Sequence, residues 1–406
     1  MIETLDVNAL IVALVGGLVL MASLAASLCA RLGIPSLVGY MLLGIVVRVI
    51  DVPFGLLSEQ VMHAVRLLAD LGIVALLFAV GIESHPRALA EKLPAALPIW
   101  LGNVVVSGLL GFVVVFYLLE LGLVPALVCA TALTATSVGV AMAMWRDAGR
   151  LDSPDGRLLV DVAELDDLSA VAMMALLFAA LPALLAGNAM DWDLLAAELV
   201  GFLLRFAAFL VACLAFAHFA EHRVTAFAAR LHLPPERMLV VAGFGFLIAA
   251  LAGLMGFSLA VGALFAGLLF SRDPEAVKTE ASFQDLYAFV TPFFFIAIGL
   301  AVEPSHLLAA VPLALVLVGV AVVGKLVGTI LPALFVTSAS AALLLGVSMV
   351  PRAEIALVLF DQARILVPEV MGPDIYSAAV LMTALLCAGT PLLLAPLLRR
   401  WPRAGR

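Results

Sequence analysis

The stretch GIPSLVGYMLLG (residues 33–44) returns late in the chain as GFSLAVGALFAG (256–267), with Gly33, Gly39 and Gly44 matched in spacing by Gly256, Gly262 and Gly267. The segments that follow agree too: FAVGI (78–82) pairs with IAIGL (296–300), and each runs on to an acid, Glu83 or Glu303. What such a repeat means depends on its surroundings and on how many times the chain crosses between the two copies.

The surroundings are lipid-like. Hydrophobic residues make up 65% of the 406 and charged residues 12%, against roughly 45–50% and about 25% in soluble domains. Apolar stretches bounded by Pro, Gly and charges fall at 8–31, 35–50, 61–81, 93–119, 122–145, 158–186, 194–219, 236–254, 257–271, 284–301, 307–335, 340–363 and 376–399. These predict about thirteen transmembrane helices. The two repeat copies begin at the second and ninth stretches, seven crossings apart, and an odd number of crossings turns the second copy upside down. The expected fold is therefore an all-α polytopic membrane protein with an inverted-topology repeat, the plan on which secondary transporters are built. Stretches 1–6 and 8–13 form its halves and the seventh connects them. The competing explanation is that glycine-rich membrane helices resemble one another simply because small residues pack helices closely.

Basic residues test this threading, because cytoplasmic loops hold most of the Lys and Arg. One side collects Arg31, Arg87, Lys92, Arg146, Arg150, Arg157, Arg223, Arg230, Arg237, Arg272, Lys278, Arg399, Arg400, Arg403 and Arg406, and the other only Arg48 and Arg364. The N-terminus is expected outside and the C-terminus in the cytoplasm. Trp100, Trp145, Trp192 and Trp401 sit near stretch ends and are expected to anchor at the interface. Cys29, Cys129, Cys213 and Cys387 stand singly in apolar surroundings, which predicts neither disulfides nor a transition-metal site. The first stretch lacks a basic leader and reads as a true helix. No phosphate-binding glycine loop or basic groove points to a nucleotide, a nucleic acid or any cofactor.

Polar residues inside the stretches carry the chemistry. In AELDDLSAVA (163–172), Asp166 and Asp167 lie roughly 13 Å into the sixth stretch at a rise of 1.5 Å per residue, near mid-bilayer, where a carboxylate costs a few kcal/mol. Lys325 on the eleventh, Thr134, Thr136 and Ser137 on the fifth, and Arg352 and Glu354 on the twelfth fall at the same depth. The fifth and twelfth stretches occupy matching places in the two halves, and each is interrupted there, by TATS and by PRAE with Pro351. Two broken helices at matching positions are where transporters build ion sites. Adjacent aspartates project about 100° apart on a helix, so their tasks should differ: one can pair with Lys325, leaving the other for a cation or a proton. A carboxyl withdrawn from water holds its proton more tightly, so proton and metal ion compete for the same oxygens, and such competition suffices for exchange. Hydroxyls and carbonyls of the broken fifth helix would complete an oxygen shell for a hard cation.

Blander readings stand beside these. Arg352 and Glu354 can be a structural pair compensating helix ends, and Thr134, Thr136 and Ser137 can bond back to their own helix. Glu164 and Asp161 suit a solvated, helix-start position. Asn103 and Arg205 read as packing or snorkelling residues, and His218, His222 and His232 as a solvated loop face.

Eight segments in this order resemble the cation/proton antiporter superfamily, in the monovalent cation:proton antiporter-2 type branch of bacterial Na+/H+ antiporters and glutathione-gated K+ efflux systems. They are GIPSLVGYMLLG, LGIVALLFAVGIE, TATS, LDD, VGALFAGLLFS, TPFFFIAIGL, the lysine of VGKLVG and MVPRAEIALVL. The resemblance implies that Asp167 binds the exchanged ion, that Asp166 pairs with Lys325, and that Thr136 and Ser137 join the site with Thr134, Arg352 and Glu354 supporting the crossover. It also implies transport-core regions 91–187 and 304–406, a dimer-forming scaffold at 1–90 and 223–303, and a linker at 188–222. The expected activity is exchange of a monovalent cation, Na+ or else Li+ or K+, for protons by alternating access. It would be electrogenic, in a homodimer in the lipid of a bacterial-type inner membrane, and would serve pH homeostasis. The chain departs from the family at Val138, where proline is common, and at Ala353, where glycine is. Gating by a ligand would need a separate subunit. The alternatives are a K+/H+ antiporter or efflux pathway, or a cation-coupled symporter. An enzyme is not expected, since neighbouring aspartates on one helix cannot converge as an aspartyl-protease dyad must.

Overall fold

The structure, a computed structural model, describes residues 7–55, 57–83, 86–185, 192–220, 223–224, 236–271 and 274–400. Arg230, Arg272, Arg403, Arg406, Trp401, His222 and His232 lie outside the described residues. The structure is 87% helix, with no strand among the described residues. That follows from the composition, because hydrocarbon offers the backbone no partners and a helix satisfies its amides internally.

In chain order the helices are α1 (Val7–Leu32), α2 (Ser36–Phe54), α3 (Glu59–Glu83), α4 (Pro86–Val113), α5 (Leu123–Thr134), α6 (Val138–Asp147), α7 (Pro154–Leu185) and α8 (Trp192–Ala215). There follow α9 (Glu236–Leu254), α10 (Leu259–Phe270), α11 (Pro274–Leu300), α12 (Pro304–Ala333), α13 (Ala339–Ser348), α14 (Glu354–Leu366) and α15 (Pro373–Arg400). Each of the thirteen apolar stretches is helical among the described residues, and the fifth and twelfth are each split into two half-helices. Nine spans, counted among the described residues, are long and apolar enough to cross a membrane. Helices α4, α7, α11, α12 and α15 begin on proline, whose missing N–H costs nothing in a first turn. Two helices start earlier than the apolar pattern suggests, α4 at Pro86 and α11 at Pro274, because charged residues prolong them beyond their apolar lengths.

The repeat is geometric as well as sequential. Gly33 and Gly256 both take positive φ, 69° and 86°, a conformation that suits glycine at the residue just past a helix. Around them the backbone closes alike: Ile34 N donates to Cys29 O and Phe257 N to Ala252 O, each at 2.9 Å. The first glycine of each copy thus performs the same helix-ending task before α2 and before α10.

The chain divides into two compact units, Met1–Ala25 with Leu42–Arg87 and Pro182–Gly299, and Ala26–Met41 with Ala88–Leu181 and Leu300–Arg406. In the first, α3 crosses α10 so closely that a Cβ on Gly267 would lie 2.7 Å from Gly81 Cα. In the second, a buried cluster joins Ile99 of α4, Trp145 of α6, Val162 of α7, Leu345 of α13 and Leu394 of α15. Trp145 is not the interfacial anchor expected from its place near a stretch end. It is fully buried, donates to Ser348 Oγ at 2.8 Å and has Arg150 over its ring at 5.3 Å, since the broken fifth and twelfth helices lay α6 near α13. The four cysteines are buried and free.

Candidate functional site

The two helix breaks in the second unit meet. Residues 135–137 leave the helical conformation between α5 and α6, with Ala135 extended (φ −60°, ψ 153°). Residues 349–353 separate α13 from α14, where Pro351 removes a donor and disfavours helix at the residue before it. Ala353 has φ −146°, on the negative side, so the break forms without the glycine common at that place. Ser137 N donates to Pro351 O at 2.9 Å, tying one break to the other.

A broken helix leaves carbonyls without partners at its C-terminal end, and these carry partial negative charge. Two fully buried cations answer them. Arg352 Nη2 donates to Leu133 O of α5 at 2.8 Å, and its Nη1 lies 3.1, 3.3 and 3.1 Å from Met349 O, Val350 O and Pro351 O. Lys325 Nζ donates to Thr134 O at 2.7 Å. Arg352 and Glu354 form no ion pair with each other; Arg352 binds carbonyls, and Glu354 stands in the first turn of α14. Each therefore meets a helix end of opposite polarity, Arg352 the carbonyl end of α5 and Glu354 the first turn of α14, without pairing with the other.

The aspartates separate as their 100° offset requires. Asp166 is fully buried and its Oδ2 accepts from Asn103 Nδ2 at 2.5 Å, Thr136 Oγ1 at 2.6 Å and Lys325 Nζ at 2.7 Å, while its Oδ1 is buried without a partner. Asp167 is half-buried, and its Oδ1 likewise has no partner.

The hydroxyls also divide. Thr134 Oγ1 bonds back to Thr131 O at 2.8 Å, the bland reading, whereas Thr136 Oγ1 accepts from Lys325 at 2.7 Å and donates to Asp166 Oδ2. Two carbonyls at the end of α5 already accept a donor each, Leu133 O from Arg352 and Thr134 O from Lys325. Asn103 was expected only to pack, yet it is fully buried and binds Asp166 directly. Its signal was the polar spacing Trp100, Asn103, Ser107 along one face of α4. Trp100 donates to Ser169 Oγ at 3.1 Å rather than to an interface. Arg205 stays exposed and bonds Gly201 O in its own helix at 3.2 Å. Among the described residues no group of three or more His, Cys, Asp or Glu is disposed to hold a metal ion.

Comparison with known proteins completes the description. The family described as sodium/hydrogen exchanger, transmembrane, matches residues 18–400. The chain is 25% identical over 303 residues to the high-affinity Na(+)/H(+) antiporter NhaS3 of Synechocystis sp., covering 73% of this chain and 64% of that one. It is 28% identical over 390 residues to the glutathione-regulated potassium-efflux system protein KefC of Klebsiella pneumoniae, covering 93% and 59%. It thus spans less than two thirds of the length of these curated relatives. Its fold matches that of the sodium proton antiporter MjNhaP1 from Methanocaldococcus jannaschii with a TM-score of 0.73, at 14% identity, over 97% of this chain and 99% of that one.

Proposed function

From a chain that is a multi-pass membrane protein and belongs to the sodium/hydrogen exchanger family, we propose exchange of a monovalent cation for protons by alternating access. The observation that carries the reading is the split between neighbouring carboxylates: Asp166 is bound by Lys325, Asn103 and Thr136, while Asp167 keeps a buried oxygen without a partner. A partnerless carboxylate oxygen at this depth takes either a proton or a hard cation, and a site that takes either one at a time exchanges them. Asp167 is the binding carboxylate, with Asp166, Thr136 and Ser137 beside it and Thr134, Arg352 and Glu354 holding the crossover.

Lys325 supports an electrogenic cycle. A cation arriving beside Asp166 repels the ammonium, and a lysine, unlike an arginine, can shed its proton. Two protons entering for each cation leaving would move one net charge. The core is read as 91–187 with 304–406, the scaffold as 1–90 with 223–303 in a homodimer, and 188–222 as the linker. The excess of Lys and Arg on one side supports an external N-terminus and a cytoplasmic C-terminus in a bacterial-type inner membrane.

The experiment is collapse of a pH gradient in proteoliposomes on adding Na+, Li+ or K+ in turn, with Asp167→Asn as control. Collapse in the wild type alone is the expected result and identifies the cation; silence toward all three from mildly acidic to mildly alkaline pH refutes antiport. K+ is a full second reading, because similarity to the potassium-efflux protein KefC extends over 93% of the chain.

A further inference from the structure

Trp100, Asn103 and Ser107 follow the i, i+3, i+7 spacing that lines one face of a helix, and the polar atoms of all three lead to Asp166. Trp100 donates to Ser169 Oγ, which donates to the main-chain carbonyl of Asp166 at 2.9 Å. Asn103 Nδ2 donates to the carboxylate, and Ser107 Oγ lies 3.5 Å from Asn103 Oδ1. Helix α4 reaches so far in because glycines line its crossing with α12: a Cβ on Gly328 would lie 2.9 Å from Asn103 Cα, and one on Gly324 3.1 Å from Ser107 Cα. Helix α4 therefore grips both the backbone and the side chain of Asp166.

The grip on the side chain is overfull. Asp166 Oδ2 accepts three donors while Oδ1 accepts none, although each carboxylate oxygen offers about two lone pairs. Of the three donors only Lys325 is charged, so it is the one an incoming cation displaces. Its departure leaves two donors for two lone pairs, on an oxygen that need not move.

We infer that Asn103 is a positioning residue of the exchange, holding Asp166 in place while Lys325 lets go, so that Oδ1 keeps its direction through the cycle. This rests on the antiport reading, and its test is built so that the two fail separately. Asn103→Leu keeps the volume and deletes the amide; Asn103→Gln keeps the amide. Each is made in the wild type and in Lys325→Met, then assayed for exchange in proteoliposomes and for melting temperature with and without cation.

Asn103→Leu should raise the KM for the cation about 10-fold or more, as expected for a lost hydrogen bond to a charged group, and change the maximal rate far less. Asn103→Gln should recover most of the affinity. In the Lys325→Met background, where Asn103 bears the load from the outset, Asn103→Leu should lower the melting temperature by more than it does in the wild type. An unchanged KM with only a lower maximal rate overturns the inference, as does the same melting shift in both backgrounds. A wild type that exchanges no cation sinks the antiport reading, and the melting comparison then decides whether Asn103 holds Asp166.

Discussion

Lys325 and Asp166 are both fully buried and 2.7 Å apart, so their pair is the place where a single substitution should disturb the protein most. Lys325→Met removes the ammonium, leaves Thr134 O without its donor and strands a carboxylate among apolar helices. Breaking a buried pair from one side costs about 3–5 kcal/mol. The donors that survive, Asn103 and Thr136, hold the cost toward the lower end. Asp166→Asn strands the ammonium instead and should cost about the same. The double variant carries neither charge and loses little beyond an unpaired Thr134 carbonyl, about 1–3 kcal/mol. The two single costs sum to about 6–10 kcal/mol, so the double variant should be more stable than additivity allows by about 3 kcal/mol or more. Thermal unfolding of the four proteins in detergent, followed by tryptophan fluorescence, measures this directly. A double variant whose loss equals the sum of the singles within about 0.5 kcal/mol would refute the reasoning, because the two groups would then not be sharing one burial cost.

Other consequences follow from neighbouring geometry. Asp167→Asn should abolish exchange in proteoliposomes while leaving the melting temperature unchanged or higher, since it neutralises a carboxylate whose buried oxygen has no partner; a clear drop in melting would mark Asp167 as structural. Gly267→Ala should destabilise by about 1–3 kcal/mol through backbone overpacking, because its Cβ would press on Phe78 O and Gly81 Cα. Gly319→Ala on α12 meets nothing within 4 Å and should gain about 0.5–1 kcal/mol from helix propensity, so equal melting of these two variants would count against the close α3–α10 crossing. Trp145→Phe should cost about 1 kcal/mol for its hydrogen bond to Ser348, and combining it with Ser348→Ala should add almost nothing in the same melting assay.

The elements that could be read from the sequence were those whose signal is local. Helix lengths follow from apolar runs, the twelfth break from Pro351, and the repeat from glycines that each perform a checkable backbone task. The fifth break carries no proline, and its place was marked only by clustered hydroxyls, which compete with the backbone for hydrogen bonds. What could not be read is which partner a polar group reaches across helices. Asn103 looks isolated in its own helix, and its burial against Asp166 depends on Gly102 and Gly328, 226 positions apart in the chain, bringing α4 onto α12. Trp145 has the sequence position of an interfacial anchor and became a core residue only because α6 is half of a broken helix and ends inside the second unit's packing.

The two buried cations show how one crossing can be both fixed and releasable. Each sits at the C-terminal end of a half-helix, where a positive charge is favoured, but they are held differently. Arg352 spends its donors on main-chain carbonyls from both sides of the crossing, Leu133 O on one and Met349 O, Val350 O and Pro351 O on the other. A guanidinium holds its proton more tightly than an ammonium and its fork is rigid, so this link is the more lasting of the two. Lys325 holds a single carbonyl and otherwise a hydroxyl and a carboxylate that hold each other. Remove the lysine, and Thr136 and Asp166 stay bonded. An ammonium is also a point charge that can give up a proton. The geometry therefore assigns permanence to Arg352 and release to Lys325, which is what a site needs if its frame is to persist while its charge changes. Exchanging the two, with Lys325→Arg, should keep the pair to Asp166 and lock it: near-normal melting with exchange lost. A Lys325→Arg protein that exchanges at the wild-type rate would show that release of this cation is no part of the cycle.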